Sequence, residues 1–183
     1  AHVHVTEWAA DGTTRVNYGI TNRILAKRRV AEGVTSAREI LNINVTQSYY
    51  TDARAAQYDR YYQTAYGTAA NKFSPLSLQV RAWPAEGVNA QFRAEYDTKF
   101  NAFRTMSADS TVAVREWLHS TFGWSQRRFI EGLAGFDNPD RLDHYLNSGT
   151  TWRALRNRIG GSYSFNYDVK TGRFLQQRLL NYY

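Results

Sequence analysis

Two histidines and three aspartates are of the residue types that bind metal ions. His2 and His4 are two positions apart, so on a strand they share one face and could bind a metal ion with a third ligand. Asp137, Asp140 and Asp143 lie in one loop, where carboxylate oxygens could bind calcium. The aspartate spacing is not that of a known calcium loop, and the histidines fit a frayed terminus. We therefore predict no metal ion and no cofactor.

Motifs for catalysis are absent from the sequence. It contains no G-x-S-x-G nucleophile elbow, no P-loop and no H-E-x-x-H pair. It also contains no cysteine, which excludes disulfides and cysteine-based metal sites. We therefore predict that the protein is not an enzyme.

The charge balance is basic, with 23 Lys and Arg against 16 Asp and Glu and a net charge of +7. Net charge alone does not choose between nucleic acid, anionic lipid and solvent. The run Lys27, Arg28 and Arg29 lies at a predicted strand end, where basic side chains commonly reach lipid headgroups. A reader of single-stranded nucleic acid would interleave such residues with exposed aromatics along a groove. We therefore predict no nucleic-acid partner.

A period of two in hydrophobicity is the dominant pattern of the chain. Between Val88 and Asp97, apolar and polar residues alternate without a break, which predicts a strand with two different faces. The pattern recurs at 15–23, 41–49, 76–82, 118–125 and 162–168, and more weakly at 1–9, 102–110, 144–154 and 173–183. We predict about ten strands and no amphipathic helix.

The predicted connections fall into two alternating sets. One set is 10–14, 52–75, 98–101, 127–143 and 169–172, and the other is 30–37, 84–87, 111–113 and 155–158. In an up-and-down sheet alternate connections emerge at opposite ends, so both long loops, 52–75 and 127–143, lie at one end. Longer loops at one end and short turns at the other are typical of bacterial outer-membrane barrels.

Aromatic residues end several of the predicted apolar faces. Tyr49, Tyr96 and Tyr167 each lie at a strand end, and Trp83 precedes Pro84, which fits the aromatic girdles of a membrane barrel. No apolar run approaches the ~18 residues of a membrane-spanning helix, whereas tilted strands of about 9–11 residues can cross a bilayer. The pattern favours an all-β, antiparallel, up-and-down transmembrane β-barrel. A soluble all-β sandwich or barrel is the alternative.

Polar residues on the opposite face of these strands are candidates to line the lumen of such a barrel. The candidates are Asn42, Asn44, Gln91, Arg93, Glu95, Ser164 and Asn166. The same residues also fit a solvated outer face, and the sequence leaves both interpretations open.

Four stretches, in order along the chain, resemble one known family. They are residues 16–26, then 38–41 leading to Gln-Ser-Tyr-Tyr at 47–50, then 93–99 with its Tyr-Asp-Thr, and 162–168 followed by 174–178. Together they resemble the C-terminal β-barrel of the lipopolysaccharide-assembly outer-membrane protein family (LptD type). The resemblance extends from about Arg15 to Tyr183.

The resemblance implies a transport protein of the cell outer membrane. Proteins of this family form a large barrel that takes lipopolysaccharide from a periplasmic bridge and releases it sideways into the outer leaflet. The implied partners are lipopolysaccharide, a plug lipoprotein, the bridge components and outer-membrane lipid. Because the family barrel has more strands than ten, residues 1–183 are expected to form a single segment of it, with N- and C-terminal parts outside this chain. A porin-like or structural outer-membrane barrel is the alternative, and a soluble carbohydrate-binding β domain is the third.

Overall fold

A computed structural model describes residues 1–10, 13–31, 34–53, 71–156 and 158–183. The strands are β1 (His2–Ala10), β2 (Thr13–Ala31), β3 (Val34–Tyr50), β4 (Leu76–Ala85), β5 (Val88–Asp97), β6 (Ala102–Val114), β7 (Leu118–Arg127), β8 (His144–Ala154), β9 (Ile159–Asp168) and β10 (Arg173–Tyr182). A short 3-10 helix, Pro139–Arg141, lies between β7 and β8. In the described ranges, no helix has the length and hydropathy needed to cross a membrane.

The strands form one 10-stranded sheet in which each strand lies beside its neighbours in sequence. Every neighbouring pair is antiparallel. The predicted all-β, up-and-down architecture of about ten strands is therefore confirmed. Within the described part of the chain, β1 pairs with β2 alone and β10 with β9 alone, so the sheet is open between its first and last strands.

Connections leave the sheet alternately at two ends. Those that follow β1, β3, β5, β7 and β9 lie at what we call the loop end, and those that follow β2, β4, β6 and β8 lie at the turn end. The predicted loops 52–75 and 127–143 both follow odd-numbered strands, so the expected position at one end is confirmed for their described residues. Residues 54–70 of the first loop lie outside the described residues.

The predicted connection at 111–113 is wrong, because these residues belong to β6. The strand continues to Val114 and the turn occupies residues 115–117. Val112 and Val114 pair with Ser120 and Leu118 of β7. The period of two therefore extends further along the chain than the predicted strand of 102–110.

The predicted connection at 30–37 is also too long. β2 reaches Ala31 and β3 begins at Val34, and the two strands pair with each other well beyond the short stretch in which β3 pairs with β4. A bulge between Ile24 and Leu25 shifts the register there. Since a bulge changes which residues share a face, the alternation loses its phase and the sequence pattern ends too early.

The turn between β4 and β5 requires a glycine. Gly87 has a φ of 73°, and a Cβ at this position would overlap the carbonyl oxygen of Ala113. We expect Gly87→Ala to lower the free energy of unfolding by about 2 kcal/mol or more, because backbone strain of about 1–2 kcal/mol adds to the steric overlap. Denaturant unfolding in lipid vesicles measures this loss.

Gly172→Ala is the matched control for this turn. Gly172 has a φ of 66°, but a Cβ there would meet its nearest neighbour, the Tyr167 hydroxyl, at 3.9 Å. This variant therefore carries the backbone strain alone and should lose about 1 kcal/mol. Equal losses in the two variants would contradict the role assigned to the Ala113 carbonyl.

Candidate functional site

The register of the strands gives the sheet one polar face and one apolar face. We call polar the face on which Gln79, Arg93 and Ser107 lie directly opposite one another on β4, β5 and β6. We call apolar the face on which their sequence neighbours Val80, Phe92 and Ala108 are opposed in the same way. Neighbouring residues of a strand point to opposite sides of a sheet, so every paired residue is assigned to one face.

The seven residues predicted from the alternation all lie on the polar face. A single row of directly opposed residues joins β3 to β9, and it consists of Asn42, Arg81, Gln91, Asp109, Gly123, Asn147 and Asn166. Asn44 and Arg93 flank Gln79 in the next row, and Glu95 and Ser164 occupy rows on either side. Only β4 separates Asn42 and Asn44 from Gln91, Arg93 and Glu95 of β5, whereas β6, β7 and β8 separate β5 from Ser164 and Asn166 of β9.

Side-chain hydrogen bonds fix the orientation of these polar groups. The Thr105 hydroxyl donates to Glu95 Oε2 at 3.1 Å. When the Gln91 amide is oriented with its oxygen toward Gln79 and Arg93, that oxygen accepts hydrogen bonds from Gln79 Nε2 at 2.7 Å and from Arg93 Nη2 at 2.8 Å. A hydrogen-bonded network of this kind holds donors and acceptors at defined positions on the face.

A polar groove crosses this face near the loop end. It consists of two adjoining clefts of about 430 Å³ and 590 Å³. The first is lined by His4, Arg15, Asn17, Thr46, Ser48 and Ser74, among others, and the second by Arg93, Thr105, Ser107, Ser125, Arg127 and Tyr145, among others. Ser77 and Glu95 line both clefts, so we treat the two as one continuous groove.

The lining of the polar groove offers hydrogen-bond donors and acceptors along its length. Hydroxyl and amide side chains can donate to and accept from sugar hydroxyls. Arg15, Arg93 and Arg127 are distributed along its length, and guanidinium groups bind phosphates through paired, charge-assisted hydrogen bonds. The lining of the groove thus combines neutral hydrogen-bonding side chains with arginines.

The residues considered as metal ligands do not converge. Among the described residues, no three His, Cys, Asp or Glu side chains come together as a metal site. The His4 ring lies over Gly19, so close that a Cβ on that glycine would be 2.9 Å from His4 Cε1. Asp143 accepts a hydrogen bond from Arg127 at 3.1 Å.

The loop between β7 and β8 folds into a compact structure at the loop end. Ile130, Leu133 and Phe136 form a buried cluster, and Phe100 and Ala102 of the β5–β6 hairpin pack against it. We call residues 128–143, together with the turn 98–101, the loop cap. The sequence predicted only a long loop here, although the recurrence of large apolar residues at every third position was a signal that the loop has a core of its own.

Two arginines fasten the loop cap to the sheet. Arg104 is only 1% exposed, and its guanidinium contacts Asp97 Oδ2 through Nε at 2.7 Å and Nη2 at 2.6 Å. Arg127 forms an ion pair with Asp143 at 3.1 Å. Both guanidinium groups lie over the Phe136 ring, 5.8 Å and 5.3 Å from its centroid. Because Arg127 belongs to the polar face, the loop cap is anchored beside the groove.

From β3 to β9, the described part of the apolar face has neither charged residues nor a covering layer. Among the described residue pairs that join β3 to β9, this face contains no Asp, Glu, Lys or Arg. Large side chains on it, such as Ile20, Phe122 and Tyr163, remain exposed. An extended exposed apolar surface is exceptional for a soluble monomer, and it is the expected surface of a barrel in contact with lipid.

Aromatic pairs border the apolar face at the loop end. The ring centroids are 5.1 Å apart for Tyr49 and Phe73, 5.2 Å for Tyr96 and Phe103, 6.2 Å for Trp124 and His144, and 4.9 Å for Tyr167 and Phe174. The predicted aromatic strand ends at Tyr49, Tyr96 and Tyr167 are thus confirmed. Their common position matches an interfacial girdle.

Comparison with protein families decides the classification. Residues 10–126 match the model of the LptD family, described as LPS transport system D. The chain belongs to the LptD family. A search of the curated proteins finds no match. Together with the antiparallel ten-stranded sheet, the family match identifies an outer-membrane β-barrel protein of lipopolysaccharide transport.

The LptD match confirms the resemblance predicted from the sequence. The matched residues include the motifs at 16–26 and 93–99. The motif at 162–168 lies beyond them, so its part in the resemblance stays a prediction. The family-level assignment therefore depends on β2 to β7, which contribute most of the polar groove.

Proposed function

We propose that these ten strands are contiguous strands of a transmembrane barrel that passes lipopolysaccharide to the outer leaflet of the outer membrane. The polar face lines the lumen and the apolar face contacts lipid. The observation that carries the proposal is the contrast between the faces, since the residue pairs from β3 to β9 place every Asp, Glu, Lys and Arg on one side. Membership of the LptD family supports lipopolysaccharide as the transported substrate.

The proposed mechanism is physical and involves no bond cleavage. Moving sugar hydroxyls and phosphates through hydrocarbon without hydrogen-bond partners costs several kcal/mol per group. The polar groove lowers this barrier, because its hydroxyls, amides and arginines replace water around the saccharide. The acyl chains remain in contact with apolar surroundings and move sideways into the bilayer.

The two ends of the sheet support an orientation. Long connections face the cell exterior in outer-membrane barrels and short turns face the periplasm, so the loop end is the outer end. The loop cap then lies at the outer mouth, beside the polar groove. A mouth narrowed by a packed loop favours release of the substrate through the barrel wall over release straight upward.

The open edges of the sheet support a larger assembly. In the bilayer core, unpaired backbone N–H and C=O groups cost several kcal/mol each, so membrane sheets are closed. Among the described residues, β1 and β10 each have one unpaired edge. We propose that residues 1–183 form a single segment and that further strands complete the barrel. The plug lipoprotein and the periplasmic bridge components are the proposed partners.

Photo-crosslinking from neighbouring positions tests this proposal. Arg93 and Phe92 are adjacent on β5 but lie on opposite faces. With a photoreactive residue at Arg93, we expect adducts with lipopolysaccharide that disappear when the periplasmic bridge is depleted. At Phe92 we expect adducts with membrane lipid that persist after depletion, because bulk lipid does not depend on transport.

Ion conductance provides the opposing measurement. A protein that conducts ions in planar bilayers while Arg93 yields no lipopolysaccharide adduct would be a porin-like channel, and the transport proposal would be wrong. A protein that remains monodisperse without detergent would contradict the membrane assignment itself. The first outcome would show that the proposed substrate is wrong, and the second would show that the proposed membrane location is wrong.

A further inference from the structure

Two adjacent turns at the turn end enclose a cleft. The turn 115–117 joins β6 to β7, and residues 155–158 join β8 to β9. Arg153 N donates a hydrogen bond to Trp117 O at 2.8 Å, which links the two hairpins. The cleft has a volume of about 730 Å³, and its lining includes Arg115, Trp117, Arg153, Leu155 and Arg156. We call these five residues the rim patch.

The rim patch carries unbalanced positive charge. Arg115, Arg153 and Arg156 are all exposed. Within the described ranges, none of their guanidinium groups forms an ion pair with a carboxylate. Glu116 is the acidic residue of the lining, so the cleft has a local excess of positive charge. Guanidinium groups in this state are available for an external phosphate.

The rim patch also presents large apolar side chains beside these charges. Trp117 is 52% exposed and Leu155 is 67% exposed. The apolar face ends next to them at Val114 and Trp152, which are themselves exposed. A free, soluble anion would make no contact with these apolar side chains. A phospholipid would contact both parts of the patch, because its phosphate lies beside its acyl chains.

Backbone geometry holds these side chains in unusual positions. Arg115, Leu155 and Arg156 have φ values of 46°, 50° and 56°, in a region that residues other than glycine rarely adopt. Each such residue costs about 1 kcal/mol or more, and clusters of this strain often mark binding sites. Arginine and leucine therefore occupy positions at which the backbone conformation favours glycine or asparagine.

We propose that the rim patch binds the headgroup of an anionic phospholipid in the leaflet at the turn end. Its arginines contact the lipid phosphate, and Trp117 and Leu155 contact the upper part of the acyl chains. Tryptophan and arginine at this depth are typical interfacial anchors. This inference rests on the membrane orientation proposed above, and it is independent of lipopolysaccharide as the transported substrate.

Bromine quenching of tryptophan fluorescence tests the proposal. The protein is reconstituted into phosphatidylcholine bilayers that contain a small share of brominated lipid, either phosphatidylglycerol or phosphatidylcholine. We expect brominated phosphatidylglycerol to quench more strongly at the same share, because the rim patch enriches it near Trp117. Trp117→Phe should lower this difference markedly, and the remainder comes from Trp152, which is exposed beside the patch.

A charge-matched pair of variants separates the site from general electrostatics. We expect R115Q/R156Q to lower the preference for phosphatidylglycerol about fivefold for each arginine removed. The control R128Q/R141Q removes the same charge from the loop end and should leave the preference unchanged. Equal quenching by the two lipids, or an equal loss in both variants, would overturn the proposal.

Inorganic phosphate distinguishes a lipid from a free anion. We expect added phosphate, at the ionic strength of a chloride control, to leave the quenching difference unchanged. Displacement by phosphate beyond the effect of chloride would assign the patch to soluble anions and would contradict the lipid proposal. None of these measurements involves lipopolysaccharide, so a failure here leaves the crosslinking result from Arg93 to be judged separately.

Discussion

An arginine placed at Ser110 is expected to lower the free energy of unfolding in a bilayer by about 2–4 kcal/mol, the usual loss for a basic residue on the lipid face near the midplane. Ser110 lies on the apolar face near the middle of β6, opposite Ala90 and Phe122. Ala90 and Phe122 offer no hydrogen-bond partner to a guanidinium group at position 110, so this group would be exposed to hydrocarbon. This is among the largest effects that the assignment of faces predicts for a single substitution.

Thr111→Arg is the matched control. Thr111 follows Ser110 on β6 but lies on the polar face, opposite Asn89 and Thr121, with Asp109 two residues away on the same side. We expect this variant to change the free energy of unfolding by less than about 1 kcal/mol, as is usual for a surface substitution. Denaturant titrations in vesicles measure both variants, and similar losses in the two would show that β6 does not separate lipid from water.

Removal of Arg104 is expected to destabilise the loop end by about 3–5 kcal/mol, because it leaves Asp97 as a buried, uncompensated charge. Asp97 is 3% exposed, and besides Arg104 its carboxylate accepts hydrogen bonds from the backbone N–H groups of Lys99 and Phe100. Arg104→Met also removes the cation above Phe136. We therefore expect the loop cap to open, which protease cleavage within residues 128–143 and hydrogen exchange would detect.

Two further variants test whether the ion pair is the cause. The double variant Asp97→Asn with Arg104→Met should recover a large part of the lost stability, since it removes the uncompensated charge. Arg128→Met removes an exposed arginine from the same loop and should have little effect. A loss in Arg128→Met as large as that in Arg104→Met would mean that loop charge in general, and not the buried pair, holds the cap.

Alternation alone was sufficient to predict the sheet. In a sheet with one polar and one apolar face, the alternation within a single strand already shows which residues lie on each face. The continuous alternation from Val88 to Asp97 coincides with β5. The same alternation assigned all seven candidate residues to the polar face. The alternation could not predict which of these residues lie opposite one another, because the row from Asn42 to Asn166 depends on the registers of six strand pairs.

Irregularities of the strands were not predictable for a related reason. The bulges next to Leu25, Tyr96 and Gln176 change the face on which later residues lie, and a period of two cannot represent an extra residue. The Asp97–Arg104 pair depends on the second of these bulges, which leaves Arg104 without a partner in the ladder. Sequence spacing gave no indication that these two residues meet.

Every pair of hydrogen-bonded strands in the ten-stranded sheet consists of strands that are consecutive along the polypeptide. Each strand can therefore dock onto the one synthesised just before it. Apart from the two long loops that follow β3 and β7, each docking step closes only a short turn, which keeps its entropic barrier low. In the closed barrel proposed above, the seam between the first and last strands is the junction that needs distant segments to meet. Removal or duplication of a hairpin leaves the pairing of the remaining strands intact. The number of strands in such a barrel can therefore change in evolution in steps of two.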